Sequence, residues 1–310
     1  MLYLGIDTSN YTTSAALFDT QGGIIADERR LLPVKEGQLG LRQSDAVFHH
    51  TAALPGIITA AMEKSVSSPD CVCVTTSPTE APGSYMPCFT VGKGAGESIG
   101  ACLKIPVKYF SHQASHIAAA VYSADRPDLF KREFIAFHVS GGTTEAVMVR
   151  PDKEKVFICV PVSRSLDLKA GQAIDRVGGM LGLAFPSGKE MDALALKSEK
   201  SYKTKPYMKD GCPSLSGLEN KCADMIKKGE SPENTARYCL TYIIDAIDLM
   251  SGELEKKYPG LPFVYSGGVM SNSLARKILP ERHEAVFSAP GYSSDNACGT
   301  AVLGFLSDRL

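Results

Sequence analysis

His112-Gln-Ala-Ser-His116 sets two imidazoles four residues apart, and on a helix that spacing stacks them on one face within reach of a single metal ion. The chain has only 6 histidines, so the pairing is not a by-product of abundance. A buried histidine pair near a helix end is the ordinary alternative. Peptidase chemistry is excluded by the residue after the first imidazole. The zinc-peptidase pattern needs Glu there as general base, and Gln113 cannot accept that proton. A metal needs a third protein ligand, and the best acidic candidate is Asp295 in Ser293-Ser-Asp-Asn-Ala297. That carboxylate also stands where a loop enters the last predicted helix, a position that N-capping alone would explain.

A second kind of chemistry is written twice. Leu2-Tyr-Leu-Gly-Ile-Asp-Thr-Ser-Asn10 with Ser14-Ala-Ala-Leu-Phe18 is echoed by Phe134-Ile-Ala-Phe-His-Val-Ser-Gly-Gly142 with Glu145-Ala-Val-Met-Val149. Each copy reads as an apolar strand, a tight turn of small polar residues and a second apolar strand. N–H groups in such a turn that have no strand partner can hold phosphate oxygens. The copies lie about 130 residues apart, which is a duplicated half-molecule and not a solenoid of short repeats. The doubled hairpin resembles the nucleotide grip of actin-like, Hsp70-like and sugar-kinase-like proteins. It predicts an α/β, actin-like ATPase (ASKHA) fold of two similar lobes, each a mixed sheet flanked by helices. Residues 1–127 would form the lobe with the two histidines, and residues 128–310 the lobe with Ser140-Gly-Gly142, the last helix free to pack back on the first.

The elements that must position these groups follow from periodicity. Ser44 to Val66 repeats apolar residues at helical spacing, with Ser44 or Asp45 as cap and a bend at Pro55. Cys71 to Thr75 reads as a buried strand, and Thr90 to Leu103 as a helix whose Gly92, Gly94, Gly96 and Gly100 allow close approach of a neighbour. A strand at Pro106–Phe110 leads into the histidine helix, and Asp125–Asp128 reads as a linker. Further helices are expected over Ser165–Gly182, Ser231–Lys257 and Asn296–Leu306, with a strand at Leu261–Ser266.

At 310 residues the chain has room for two domains, and its 44% hydrophobic and 22% charged content is that of a folded protein. No run approaches the roughly 18 apolar residues of a membrane span and no basic leader precedes the first strand, so no membrane role and a cytoplasmic location are expected. The 9 cysteines include no C-x-x-C and are expected as core thiols. A net charge of −1 excludes a global basic field. The one local concentration of lysines runs from Lys197 to Lys228, with Glu199, Asp210, Glu219 and Asp224 among them. A solvated surface explains such mixing, with an RNA-contact patch as the alternative.

Beyond these, Val139-Ser-Gly-Gly142 with Thr144, Ala170-Gly-Gln-Ala-Ile-Asp175, Phe185-Pro-Ser-Gly188, Ser214-Leu-Ser-Gly-Leu218, Ser266-Gly-Gly-Val-Met-Ser-Asn272 and Ser294-Asp-Asn296 follow the histidine pair in order. Together they resemble the TsaD family, the tRNA N6-adenosine threonylcarbamoyltransferases formerly called glycoproteases. The resemblance implies a metal-dependent acyltransferase. It would move a threonylcarbamoyl group from threonylcarbamoyl-AMP to the N6 amine of the tRNA adenosine beside the anticodon. It implies His112, His116 and Asp295 as ligands of one iron or zinc ion. It assigns the adenine nucleotide (threonylcarbamoyl-AMP, AMP or ATP) to His138, Val139, Ser140, Gly141, Gly142, Asp175, Gly188, Asp192 and Asn272. The N–H groups of Ser140, Gly141 and Gly142 would stabilise developing oxyanion or phosphate charge. Gly267-Gly268 would let backbone approach a flat base, and Asn272 would offer donor and acceptor to adenine or ribose. The implied partners are tRNA, a smaller TsaB-like paralogue and a TsaE-like ATPase, in a homo- or heterodimer.

The chain also departs from that pattern. Tyr11 and Thr12 stand where the family carries an acidic turn, Thr143 where it has His, and Asp167-Leu-Lys-Ala-Gly-Gln172 replaces a more acidic motif. These mark a divergent paralogue. The alternatives are a carbamoyl-type transferase with a different acceptor and a nucleotide-binding, non-catalytic paralogue.

Overall fold

The computed structural model describes residues 1–9, 11–33 and 41–310. Asn10, in the turn of the first hairpin, lies outside the described residues. The chain runs through β1 (Leu2–Asp7), β2 (Thr12–Asp19), β3 (Gly23–Leu31), α1 (Gln43–Met62), β4 (Cys71–Ser77), α2 (Phe89–Leu103), β5 (Val107–Ser111) and α3 (His112–Ser123). It continues with β6 (Phe134–Val139), β7 (Thr144–Asp152), β8 (Val156–Arg164), α4 (Ala170–Met180), α5 (Gly188–Lys197), β9 (Tyr207–Lys209), β10 (Cys212–Ser214) and α6 (Ser216–Lys227). Last come α7 (Pro232–Lys257), β11 (Phe263–Ser266), α8 (Ser273–Ile278), β12 (Ala285–Phe287) and α9 (Cys298–Ser307). Two units form: Met1–Arg132 with Arg150–Cys159 and Ser294–Leu310, and Glu133–Val149 with Val160–Ser293.

The duplication extends through both sheets. One has the order β3-β2-β1-β4-β5 and the other β8-β7-β6-β11-β12. β1 and β6 each pair antiparallel with the next strand and parallel with β4 and β11 respectively. The edges β5 and β12 are parallel to their neighbours. Hairpin reading from sequence finds two strands per copy; the structure adds β3 and β8 as a third. β1 is buried at every position, as its unbroken apolar run requires of a central strand covered on both faces.

In the first unit α2 lies on β4 and β5 through its glycines. A Cβ on Gly96 would sit 2.4 Å from Val74 and one on Gly100 2.3 Å from Val107. Gly96 and Gly100 serve packing, as expected, whereas Gly94, expected to do the same, has nothing within 4 Å of its Cβ position. α1 starts one residue before the expected Ser44 or Asp45 cap. Arg42 holds the cap position without a side-chain bond, and Gln43 Oε1 accepts instead from the Cys88 amide at 3.4 Å. In the second unit α4 is shorter than Ser165–Gly182. Its leading residues form a loop in which the Ser165 amide donates to Thr144 O and its hydroxyl to Leu168 O. No cysteine is in a disulfide, and Cys102 is exposed and is not a core thiol. No described helix is long and apolar enough to cross a membrane.

The α3–α9 crossing is unusually close. A Cβ on Gly299 would lie 1.8 Å from Ser115 O, and Ser115 Oγ meets Thr300 Oγ1 at 2.8 Å. Gly5 performs the same service for α9 on the sheet, since its Cβ would stand 2.4 Å from Ala297 O. Gly299→Ala should therefore lower stability by about 3 kcal/mol in denaturant unfolding. Gly252→Ala, in α7 with nothing within 4 Å, should raise it by about 0.5–1 kcal/mol.

Candidate functional site

In the first unit the candidate groups collect at the carboxyl ends of β1, β4 and β5, where open α/β sheets place ligands. α3 begins at His112 directly after β5, and Ser111 caps it by accepting from the Ala114 amide at 3.2 Å. One helical turn then sets His116 above His112. Asp295 arrives from the loop before α9. The capping role proposed for it is taken elsewhere: Ala297 is the cap residue and Asn296 Oδ1 accepts from the Cys298 amide. The Asp295 carboxylate turns instead to the imidazoles, with Oδ1 3.2 Å from His116 Nε2 and 3.7 Å from His112 Nε2. The two Nε2 atoms are 2.9 Å apart.

All three ligand atoms lie within 4.8 Å of one another. Ligands about 2.0–2.1 Å from a tetrahedral metal stand about 3.3 Å apart, so this donor set fits one divalent ion. Two nitrogens and one carboxylate oxygen suit iron or zinc alike.

A fourth residue, missed in the sequence, stands behind the imidazoles. Asp7 ends β1 with its side chain fully buried, and its Oδ2 is 3.3 Å from His112 Nδ1. Ser9 donates to the same carboxylate at 2.6 Å and Thr75 donates to its other oxygen. A carboxylate behind a ligating histidine fixes which nitrogen faces the metal and makes it more basic. The signal in the sequence was an acid closing an otherwise apolar central strand.

The electrostatics follow from that enclosure. Burial by itself would lower the His112 pKa, but the charge of Asp7 and the bond to Asp295 outweigh it and hold it up at about 10. His116 is pushed down by burial and by its neighbour His112. Burial would raise Asp295, yet the two imidazoles hold it far below the usual carboxylate range.

In the second unit the motif residues gather at the carboxyl ends of the parallel pair β6 and β11. Val139 is buried at the end of β6, and His138 pairs across to Ser266. The Ser140 turn is closed mostly on itself. Ser140 N donates to Thr143 O at 2.8 Å, and Ser140 Oγ accepts from Gly142 N at 3.3 Å and Thr143 N at 3.2 Å. The three-donor expectation is therefore corrected: among the described residues only Gly141 N–H, exposed at the tip, has no acceptor. The first turn of α4 braces the turn. Gly171 N donates to Ser140 O at 3.1 Å, and a Cβ on Gly171 would fall 2.6 Å from Gly141 N.

The remaining positions come together in two pairs. Asp175 Oδ1 accepts from Ser187 N at 2.8 Å, next to Gly188, and burial raises its pKa. Asp192 Oδ1 accepts from Asn272 Nδ2 at 2.8 Å, while its Oδ2 accepts from the Ser273 hydroxyl at 2.7 Å. Asn272 caps α8, its Oδ1 accepting from Leu274 N and Ala275 N. Its acceptor is thus spent inside the protein, correcting the donor-and-acceptor expectation. Gly267, at φ +94°, clears Val139 O, which a Cβ would approach to 2.3 Å. Its role is to cross β6; Gly268 beside it is open.

Mixed five-stranded sheets of this order define an α/β protein of the actin-like ATPase fold. Among solved structures the chain is similar to T.kodakarensis HypF, with a TM-score of 0.63 and 13% identity over 99% of this chain and 48% of that one; it spans about half of that protein. The sequence model described as TsaD, tRNA N6-adenosine threonylcarbamoyltransferase, matches residues 36–302, and the chain belongs to that family of transferases. Its relatives include the tRNA N6-adenosine threonylcarbamoyltransferase of Archaeoglobus fulgidus, 25% identical over 99% of this chain and 91% of the relative. That of Buchnera aphidicola subsp. Schizaphis graminum is 29% identical over 99% and 92%.

The His112 pKa gives a pH prediction for metal-free protein. A group held at about 10, against about 6.5 in the unfolded chain, adds stability that is complete below about 6.5. That contribution declines as pH rises and is gone above about 10. Denaturant midpoints of chelator-treated protein should fall over this interval, and Asp7→Asn should flatten the decline.

Proposed function

We propose that this protein transfers the threonylcarbamoyl group of threonylcarbamoyl-AMP to the N6 amine of a tRNA adenosine. The observation that carries the reading is the meeting of His112, His116 and Asp295 in a chain matched over most of its length by the family's sequence model. His112, His116 and Asp295 would hold the metal, iron or zinc. Bound there, it would act as a Lewis acid on phosphate or carbonyl oxygen.

The other residues act through hydrogen bonding and position. The Gly141 N–H and the Ser140 hydroxyl donate to the oxygen that gains charge as the amine adds to the carbonyl and AMP leaves. Because Gly171 and Thr143 hold that turn, its donors need no reorganisation as charge develops. Asp175 holds the loop of Ser187 and Gly188 against the adenylate. Asn272, fixed by Asp192 and by α8, presents its second amide hydrogen. The N6 amine is a weak nucleophile, so orientation supplies much of the rate.

The reading brings with it a cytoplasmic location, a TsaB-like paralogue and a TsaE-like ATPase. One observation favours a different carbamoyl acceptor: Thr143 replaces the family's histidine, which removes an imidazole from beside the Ser140 turn.

Protein incubated with ATP, threonine, bicarbonate, the adenylate-forming enzyme and unmodified tRNA, with the two partners, should yield threonylcarbamoyladenosine on nucleoside analysis. No modified nucleoside with every partner present would remove the tRNA reading. His116→Ala and Asp295→Ala should each cut product formation at least about 100-fold. Metal analysis should show the bound ion falling from one per chain to none.

A further inference from the structure

Residues 202–209, which lead into and include β9, alternate strictly in burial. Tyr202, Thr204, Pro206 and Met208 are covered, while Lys203, Lys205, Tyr207 and Lys209 are exposed. The covered set is anchored to α7. Tyr202 packs edge-on against Tyr238 with ring centroids 5.3 Å apart, and Thr204 donates from both amide and hydroxyl to Asp245 Oδ2 at 3.1 and 2.6 Å. Met208 joins the core of the unit. At the far end Asp210 and Gly211 turn with positive φ, the chemistry of a two-residue hairpin, and pair Lys209 with Cys212. Anchors and turn together set the register, so the other four side chains have no inward alternative.

The outward row is Lys-x-Lys-x-Tyr-x-Lys, its last part on β9 and its first part on the segment anchored to α7. Among the described residues Lys203, Lys205 and Lys209 form no ion pair, whereas nearby Lys200 is neutralised by Glu230 at 2.7 Å. Tyr207 is 62% exposed, which leaves its ring accessible to a stacking ligand. Unpaired cations on one side of the segment with an interleaved aromatic match a polynucleotide strand, which offers successive phosphates and stacking faces. An acidic peptide would use the cations but not the aromatic ring.

We propose that the outer row of residues 203–209 is an RNA-docking edge, with Lys203, Lys205 and Lys209 on phosphates of the substrate tRNA and Tyr207 stacking on an unpaired base. This rests on the transferase reading for the identity of the RNA. It is separable from turnover, because the edge lies outside the residues assigned to metal and adenylate.

The test is binding of unmodified tRNA to the full-length protein across a salt series. The triple variant Lys203→Glu, Lys205→Glu, Lys209→Glu should weaken binding at least tenfold and reduce the slope of log affinity against log salt by two to three, about 0.7–0.9 per lost phosphate contact. Tyr207→Ala should weaken binding about fivefold or more with the slope unchanged. The matching lysine-to-arginine triple should bind like wild type, and so should a charge-matched control, Lys64→Glu, Lys153→Glu, Lys228→Glu. Unaltered thermal midpoints would confirm that the variants fold. Unchanged tRNA affinity and slope in the glutamate triple would overturn the edge. So would no tRNA binding by wild type, or a loss confined to polyglutamate. His116→Ala protein should bind tRNA as wild type does. Edge-dependent binding without any modified nucleoside would sink the transferase reading and leave the edge standing.

Discussion

The candidate metal centre depends on how closely two helices approach. Asp295 reaches His112 and His116 only because α9 lies against α3 at a distance that Gly299 and its small neighbours allow. Side chains of ordinary size at that crossing would move the carboxylate away from the imidazoles. The same closeness sets the Asp295 carboxylate against both imidazoles, whose hydrogen bonds and charge hold it ionised. Packing of small apolar residues and the electrostatics of a charged cluster are therefore one arrangement.

Four ionisable side chains share this space: Asp7, His112, His116 and Asp295. Removing them from water is costly unless each has a partner, and each has one. Asp7 faces His112, which in turn meets His116 and Asp295. Without a metal the cluster is held by a protonated His112; with one, the ion would take over that positive charge. Asp7 stays useful in both states, because its distance to Nδ1 does not involve the atoms that face the ion.

The second unit solves a different problem with the same strand plan. Its turn after β6 must present a donor while its other N–H groups are paired. Ser140 and Thr143 satisfy all but one by internal bonds, and α4 supports the turn from behind. Asp175 and Asp192, which in isolation look like surface carboxylates, are fasteners for Ser187 and for Asn272. The shared topology places these groups at the carboxyl ends of parallel strands in both units, where the strand order leaves room for loops.

Much of this was legible in the residues. Apolar runs bounded by turn residues marked the strands β1, β2, β6 and β7, and helical spacing marked most helices, because a strand covered on both faces leaves a run and a helix covered on one face leaves a period. The histidine pair was legible for the same reason, both ligands lying on one helix turn. β3 and β8 were missed because edge strands are less uniformly apolar, and the α1 cap because the helix begins at Gln43, which puts Ser44 and Asp45 inside its first turn. Asp295 had only a loop-to-helix context of its own, and motif order singled it out. The linear chain determined which groups are available for metal and phosphate chemistry. Only the tertiary structure decided which of them meet, that Asp7 stands behind His112, and that Asn272 and Gly142 have already spent hydrogen bonds, because distance and hydrogen-bond competition are settled by packing between segments far apart in the chain.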